Sequence, residues 1–290
     1  MNDHLDVSND HVEGTPDGPG GRTIVVTGAA SGIGAALVRR LLDADPQTTV
    51  IALDLNESTD PRARFVHCDL SEPRSIDAVA LPDRIDALAN VAGVPGTAPA
   101  SVVLAVNTLG VRALTLRVLE RMTTGAAVVN VASLAAHRNT QPPERITELL
   151  AAESRADIDR WVAETGVDGS AAYDTSKRAL LDWTVALSAA LQPRGIRAAS
   201  VSPGPTDTPI LGDFEQSMGV EAISRSAGAV GRHGTAAETA AAIDFLLSPD
   251  ASWVNGIDIP VDGGLSAIRA ASVENPLRPV ATDSRSSSPV

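Results

Sequence analysis

Arg22-Thr-Ile-Val-Val-Thr27-Gly28-Ala-Ala-Ser31-Gly32-Ile33-Gly34 is where the 290-residue sequence first reads as ordered. A short apolar, β-branched run breaks into three glycines within seven positions, and apolar residues at helical spacing follow to about Asp43. The run reads as a strand, the glycines as a turn and the periodic stretch as a helix. Glycines at such a turn let the backbone approach a pyrophosphate closely, and the helix N-terminus offers it free N–H groups and a positive dipole end. The spacing, Gly-x-x-x-Gly-x-Gly, departs from the usual Gly-x-Gly-x-x-Gly, and a plain tight turn is the competing reading.

The next run, Thr49-Val-Ile-Ala-Leu-Asp54, reads as a second strand and strengthens the phosphate reading. Asp54 follows Gly34 by 20 positions, where an acidic residue at a strand end can take both ribose hydroxyls of an adenosine. Its carboxylate repels a 2′-phosphate, and Leu55 stands where an arginine would favour one, so NAD is expected over NADP. Arg62 and Arg64 are the nearby cations that oppose this, and their plain reading is solvated loop charge.

Further strands are expected at Arg64 to Cys68 (then Asp69-Leu70), Ile85 to Val91, Ala126 to Ser133, Ile196 to Val201 and Gly256 to Val261. Helices alternate with them, at Pro99 to Met122, from Tyr173 to about Gln192 and at Ala236 to Leu247. Such alternation implies right-handed βαβ units and a parallel sheet covered on both faces. The expected fold is α/β: a single Rossmann-type doubly wound sheet of about seven strands with helices on both faces. Gly28, Asp54, Gly93 and Ser133 all fall at carboxyl ends of strands, where ligands gather in open sheets of this kind.

Composition narrows the function. Apolar residues make up 43% of the chain and aromatics only 2%, which suits aliphatic helices packed on a parallel sheet. A net charge of −13 and a pI near 4.7 argue against a nucleic-acid or anionic-membrane partner. Cys68 is the single cysteine, so no intrachain disulfide can form and a reducing cytoplasm is the expected location. The five histidines are scattered, at 4, 11, 67, 137 and 233, and with one cysteine they build no metal site. Residues 1–20 read as a disordered leader and 272–290 as a disordered tail.

Tyr173-Asp-Thr-Ser-Lys177 carries the chemistry. Tyr173 is the only tyrosine and Lys177 the only lysine, although the chain has 22 arginines. On a helix an i, i+4 pair shares one face. A phenol ionises near about pH 10, so a cation beside it is the simplest way to make it an acid/base. A surface helix with one solvated Lys is the plain alternative. Asn107, inside an apolar helix, reads by itself as a helix distortion or a satisfied core polar group.

Taken together, Thr27-Gly-x-x-x-Gly-Ile-Gly34, Asp69-Leu70, Asn90-Val-Ala-Gly93, Asn107, Ser133, Tyr173-x-x-x-Lys177 and Pro203-Gly204 resemble the short-chain dehydrogenase/reductase family over about residues 22–268. The resemblance implies a seven-stranded doubly wound sheet, a nicotinamide cofactor and hydride transfer between a carbinol and a carbonyl. It implies that Tyr173 is the acid/base, that Lys177 lowers its pKa and holds the nicotinamide ribose, and that Ser133 binds the substrate oxygen. Asn107 would anchor a proton-relaying water. Cofactor contacts are expected from Gly28, Ser31, Gly32, Ile33, Gly34, Asp54, Asp69, Leu70, Asn90, Ala92, Gly93, Tyr173, Lys177, Pro203, Gly204, Thr206 and Thr208, with Asp69 and Asn90 on the adenine side and Thr208 at the carboxamide.

Ser133 and Tyr173 lie 40 positions apart, where most members of the family have roughly a dozen residues between them. Residues 134–172 are therefore expected as an insertion beside the site, with helices at Pro143 to Ser154 and Asp157 to Glu164. Residues 206–234 are the expected substrate segment of the 21–271 domain, with 209–234 as a long loop. The longer spacing resembles two subgroups, the coniferyl-alcohol dehydrogenases and the 3α-hydroxysteroid dehydrogenase/carbonyl reductases. The small-molecule substrate is thus expected to be a bulky apolar or aromatic alcohol or its carbonyl, and the assembly a homodimer or homotetramer. A rival class, a family member that binds dinucleotide without catalysis, is opposed by the intact Asn, Ser, Tyr and Lys set.

Overall fold

The computed structural model describes residues 21–271, so the leader and tail expectations fall outside the described residues. Strands β1 (Thr23–Thr27), β2 (Thr49–Asp54), β3 (Arg64–His67), β4 (Ile85–Asn90), β5 (Met122–Val131), β6 (Arg197–Pro203) and β9 (Asp258–Val261) form one sheet in the order β3-β2-β1-β4-β5-β6-β9. Every pairing within it is parallel. Two short strands, β7 (Thr206–Asp207) and β8 (Gly234–Thr235), pair separately beyond the end of β6.

Alternation along each strand divides the core into two layers. Ile24 and Val26 of β1 face helices α1 (Gly32–Ala44) and α10 (Ala236–Leu247), packing with Leu37, Leu41, Ile243 and Leu246. Val25 faces the other way, onto α2 (Pro73–Ala78), α4 (Val111–Leu119) and α7 (Gly169–Leu191), with Leu114, Val118, Leu180 and Leu187. At Gly34 a Cβ would overlap the carbonyl oxygen of Gly28, so only glycine lets α1 start this close to the end of β1.

The expected Pro99 to Met122 helix is one apolar rod in three parts: α3 (Ala100–Leu104), a π-helical turn at Ala105–Gly110, and α4. The distortion expected at Asn107 is this π turn. The rod, Ala100–Leu119, is long and apolar enough to cross a membrane, but 67% of its most apolar window is buried inside the domain, the mark of a core helix.

The 134–172 segment folds as a 3₁₀ turn (Leu134–Arg138), α5 (Pro143–Ala151) and α6 (Arg155–Thr165). It adds a third apolar cluster, in which Ile146, Leu149, Ile158 and Trp161 pack with Val103 and Leu104 of α3 and with Ala172, Tyr173 and Ala179 of α7. Helix α6 starts on a reciprocal cap, the Ser154 hydroxyl accepting from the Asp157 N–H while the Asp157 carboxylate accepts from the Ser154 N–H.

The expected 209–234 loop is a correction. The segment is helical, with α8 (Leu211–Met218) and α9 (Val220–Val230) meeting at Gly219, and a further helix, α11 (Leu265–Ala270), follows β9. Gly and Ser content suggested a loop, but Ile223 and Ala227, four apart, bury one face of α9.

Candidate active site

The carboxyl ends of β1 to β6 open into a cavity of about 940 Å³. The glycine turn, Asp54, Asp69-Leu70, Val91 to Val94, Ser133, Tyr173, Lys177, Pro203-Gly204, Thr206 and Thr208 all line it. Its outer wall is Ile210, Leu211, Phe214 and Ile223 from α8, α9 and the residue before them, together with Leu265 of α11.

At one end, Gly28 has φ +67° and a Cβ there would stand 2.8 Å from the backbone of Ala92, so only glycine lets the turn after β1 lie this close to the end of β4. The Thr27 hydroxyl accepts from the N–H groups of Val91 and Ala92, both at 3.0 Å, and so ties the ends of β1 and β4 together. The Asp54 carboxylate accepts from the N–H of Ala30 at 3.0 Å and of Asn56 at 3.1 Å, which orients it at the mouth of the glycine turn. Exposed Leu55 adjoins it, whereas Arg62 is spent on Asp60 and Asp43 and does not line the cavity. Arg64 does not line it either. Asp69 caps its own turn, accepting from the N–H and hydroxyl of Ser71.

Asn90 stands differently from its expected place on the adenine side. Its side chain is buried beneath the cavity and donates to Thr115 Oγ1 at 2.9 Å and Asn130 Oδ1 at 2.8 Å; Asn130 in turn donates to Thr184. This chain of amides and hydroxyls locks β4 and β5 to α4 and α7; it uses the Asn90 amide nitrogen, leaves its buried Oδ1 without a hydrogen-bond partner among the described residues, and keeps the residue out of the cavity lining. The neighbouring Val91, Ala92 and Gly93 meet the cavity instead.

At the other end, Ser133 follows β5 and starts the 3₁₀ turn, its hydroxyl accepting from the Ala135 N–H at 3.1 Å. The Ser133 side chain lies close enough to the Tyr173 hydroxyl to favour its ionised form. Lys177 is 4% exposed; its ammonium donates to the Val131 carbonyl at 2.9 Å and stands 5.6 Å from the centre of the Tyr173 ring. The Phe214 ring of α8 closes over Tyr173, centroid to centroid 5.3 Å. Asn107 sits behind Gly93. Its carboxamide accepts from the Val94 N–H at 2.9 Å and donates to the Val94 carbonyl at 3.0 Å and the Ser176 hydroxyl at 3.2 Å, so it holds the loop after β4 against the π turn.

Electrostatics here depart from the expected pattern. Burial pushes the Tyr173 phenol up to about 12, and the Ser133 side chain only partly offsets it. Burial likewise brings Lys177 down to about 8. Desolvation leads both shifts, and no effect of Lys177 enters that of the phenol. Cys68 also lines the cavity, but burial raises its thiol to about 11 and leaves it unreactive.

Sequence reading missed the wall of the cavity from α8, α9 and α11, for which no motif exists, and it missed Arg138. Among the described residues no group of three or more His, Cys, Asp or Glu could hold a metal.

An open parallel sheet with a glycine turn at its first strand end, an acid at its second and a Ser, Tyr, Lys set beside them defines a dinucleotide-dependent oxidoreductase. Family models agree: a short chain dehydrogenase model matches residues 22–142, and one described as Enoyl-(Acyl carrier protein) reductase matches 157–266. The chain belongs to the short-chain dehydrogenase family, whose members use a nicotinamide dinucleotide. It is 38% identical over 252 residues to coniferyl-alcohol dehydrogenase of Pseudomonas sp. strain HR199, covering 85% of this chain and 97% of that one. With 3-alpha-hydroxysteroid dehydrogenase/carbonyl reductase of Comamonas testosteroni it shares 30%, over 84% and 96%. The crystal structure of the 3-alpha-hydroxysteroid dehydrogenase from Pseudomonas sp. B-0831 complexed with NADH superposes with a TM-score of 0.74 at 34% identity, covering 87% of this chain and 99% of that one.

Proposed function

We propose that the protein is an NAD-dependent alcohol dehydrogenase acting on a bulky apolar secondary alcohol or an aromatic primary alcohol of the coniferyl type. The observation that carries this reading is that Ser133, Tyr173 and Lys177 meet at one end of a cavity whose other end is the Asp54 carboxylate. The cradle fits a dinucleotide: a Cβ at Gly28 would force the glycine turn away from Ala92, and Asp54 is held by two backbone N–H groups with no arginine bonded to it among the described residues.

The nicotinamide supplies the hydride acceptor or donor. Ser133 would hold the substrate oxygen, Tyr173 would take the alcohol proton or return it to the carbonyl oxygen, and Lys177 would hold the ribose of a bound nicotinamide and steady the phenolate once it forms. Asp54 selects NAD, since a 2′-phosphate beside it brings two anions together. The apolar side chains Ile210, Leu211, Phe214, Ile223 and Leu265 of the outer wall suit a large hydrophobic substrate, while Arg225, Ser226 and Arg269 line the same cavity.

A second reading, a 3α-hydroxysteroid dehydrogenase, is favoured by the 34% identity to the NADH-complexed enzyme. An NAD-reduction screen of cinnamyl and benzyl alcohols against 3α-hydroxysteroids separates the two. Turnover of the aromatic alcohols supports the first reading, turnover of steroids alone replaces it with the second, and turnover of neither refutes both substrate classes. The assembly we propose is a homodimer or homotetramer, which light scattering on the purified protein reads directly.

A further inference from the structure

Arg138 and Asp174 are 36 positions apart and form a two-pronged ion pair, Arg138 Nε to Asp174 Oδ2 at 3.0 Å and Arg138 Nη2 to Asp174 Oδ1 at 2.6 Å. Each is next to the chemistry. Asp174 directly follows Tyr173, and Arg138 ends the 3₁₀ turn that Ser133 begins and itself lines the cavity. One residue further on, the Thr175 hydroxyl donates to Asn139 Oδ1 at 2.9 Å, a second bond between the same two segments. A closed ring results: Ser133 to Arg138 along the turn, Arg138 to Asp174 through the fork, Asp174 to Tyr173 along α7, and Tyr173 back to Ser133 through its hydroxyl. The pair thus joins the turn that carries Ser133 to the helix that carries Tyr173.

We propose that the Arg138–Asp174 pair is a positioning device for the reaction: its fork fixes the Ser133 hydroxyl against the Tyr173 hydroxyl, and the guanidinium cancels the charge that Asp174 would otherwise place beside the phenol. This rests on Tyr173 being the acid/base proposed above. Two bonds in one plane set orientation as well as distance, which a lysine could not do. The charged groups facing the phenol are Asp174 and Arg138, with Lys177 from one turn further along α7. The cluster packed around it is apolar, with Leu104, Ala135, Leu149 and Phe214 among its members, and Arg225 of α9 and Arg269 of α11 line the same cavity. Asp174 acts to raise the phenol and Arg138 to lower it, so the two have opposite signs at one atom.

The opposite signs make the test. Tyr173 is the single tyrosine, so the near-ultraviolet phenolate band titrates this residue alone and needs no turnover. In Asp174→Asn the phenolate midpoint, and the midpoint of the kcat/KM profile for alcohol oxidation, should move down by about half a unit to one unit; in Arg138→Gln both should move up by a similar amount. The double variant should return near the wild-type midpoint with kcat still reduced about tenfold or more, because the fork is lost in either case. NADH affinity should stay within about twofold in all three, and circular dichroism checks the fold. A merely structural pair would lower kcat alike in both single variants and displace neither midpoint, and that result, or displacement in the same direction, overturns the proposal. If Arg138→Gln does not fold, Asp174→Asn decides: an unmoved or raised midpoint refutes it. A wild type with no turnover on any alcohol would sink the proposed function, while the phenolate titration would still judge the pair.

Discussion

The Lys177 ammonium lies 5.6 Å from the centre of the Tyr173 ring and is anchored by the Val131 carbonyl at 2.9 Å, with no carboxylate bonded to it among the described residues. Both groups are taken almost wholly out of water, and each resists ionising: the phenol rises to about 12 and the amine falls to about 8. In the free protein at neutral pH the pair therefore rests as a protonated phenol beside a largely protonated amine.

Replacing Tyr173 by Phe removes only the transferable proton, because the ring still packs on Phe214. Turnover should fall by about a thousandfold or more while NADH affinity, read by fluorescence titration, changes little. Substantial residual turnover would remove Tyr173 from its proposed role.

A phenol raised above its usual range is protonated throughout the neutral region and becomes a base only as the pH climbs. Alcohol oxidation should accordingly speed up from about pH 7 to about pH 10, and carbonyl reduction, which uses the protonated form, should stay flat over the same range. Steady-state rates in both directions test this, and oxidation that slows with rising pH would contradict it.

Asp54→Ala should relax discrimination against NADP by about tenfold or more in kcat/KM, since the carboxylate is the acid at the ribose end and Arg62 is tied to Asp43 and Asp60. A wild type that already favours NADP would show the carboxylate argument to be wrong.

Burying Lys177 costs stability. Its folded-state pKa of about 8 lies below that of the free side chain, so the penalty is fully present below pH 8 and disappears as pH rises toward the unfolded value of about 10.4. By that shift the penalty is up to about 3 kcal/mol, offset by about 1 kcal/mol for the bond to Val131. Lys177→Met should thus be catalytically dead yet melt higher than the wild type at neutral pH, with the gain shrinking at pH 10. Calorimetry at the two pH values checks it, and a gain that does not depend on pH would refute the argument.

Much of the fold was legible in the chain because parallel strands buried on both faces must be continuous apolar runs. Thr49–Asp54 was read to its exact ends, and β1, β3 and β4 to within a residue or two. Helices α8 and α9 were not legible. Short and rich in Gly and Ser, they are marginal alone and hold their shape by packing Phe214, Ile223 and Ala227 toward the rest of the molecule. The motif around Asn90 was visible, but not that its amide turns down into a buried network with Thr115 and Asn130.

By itself the sequence determined the seven strands of the sheet and the main helices between them, the glycine turn, Asp54 at a strand end and the four-residue step from Tyr173 to Lys177, because each depends on residues near one another along the chain. Only the tertiary structure decided that Ser133 and Tyr173 meet across a 40-residue gap, that Arg138 grips Asp174 beside them, and that burial raises the phenol and lowers the amine. Hydrogen-bond geometry and desolvation depend on what surrounds a group in space, and spacing along a chain carries neither.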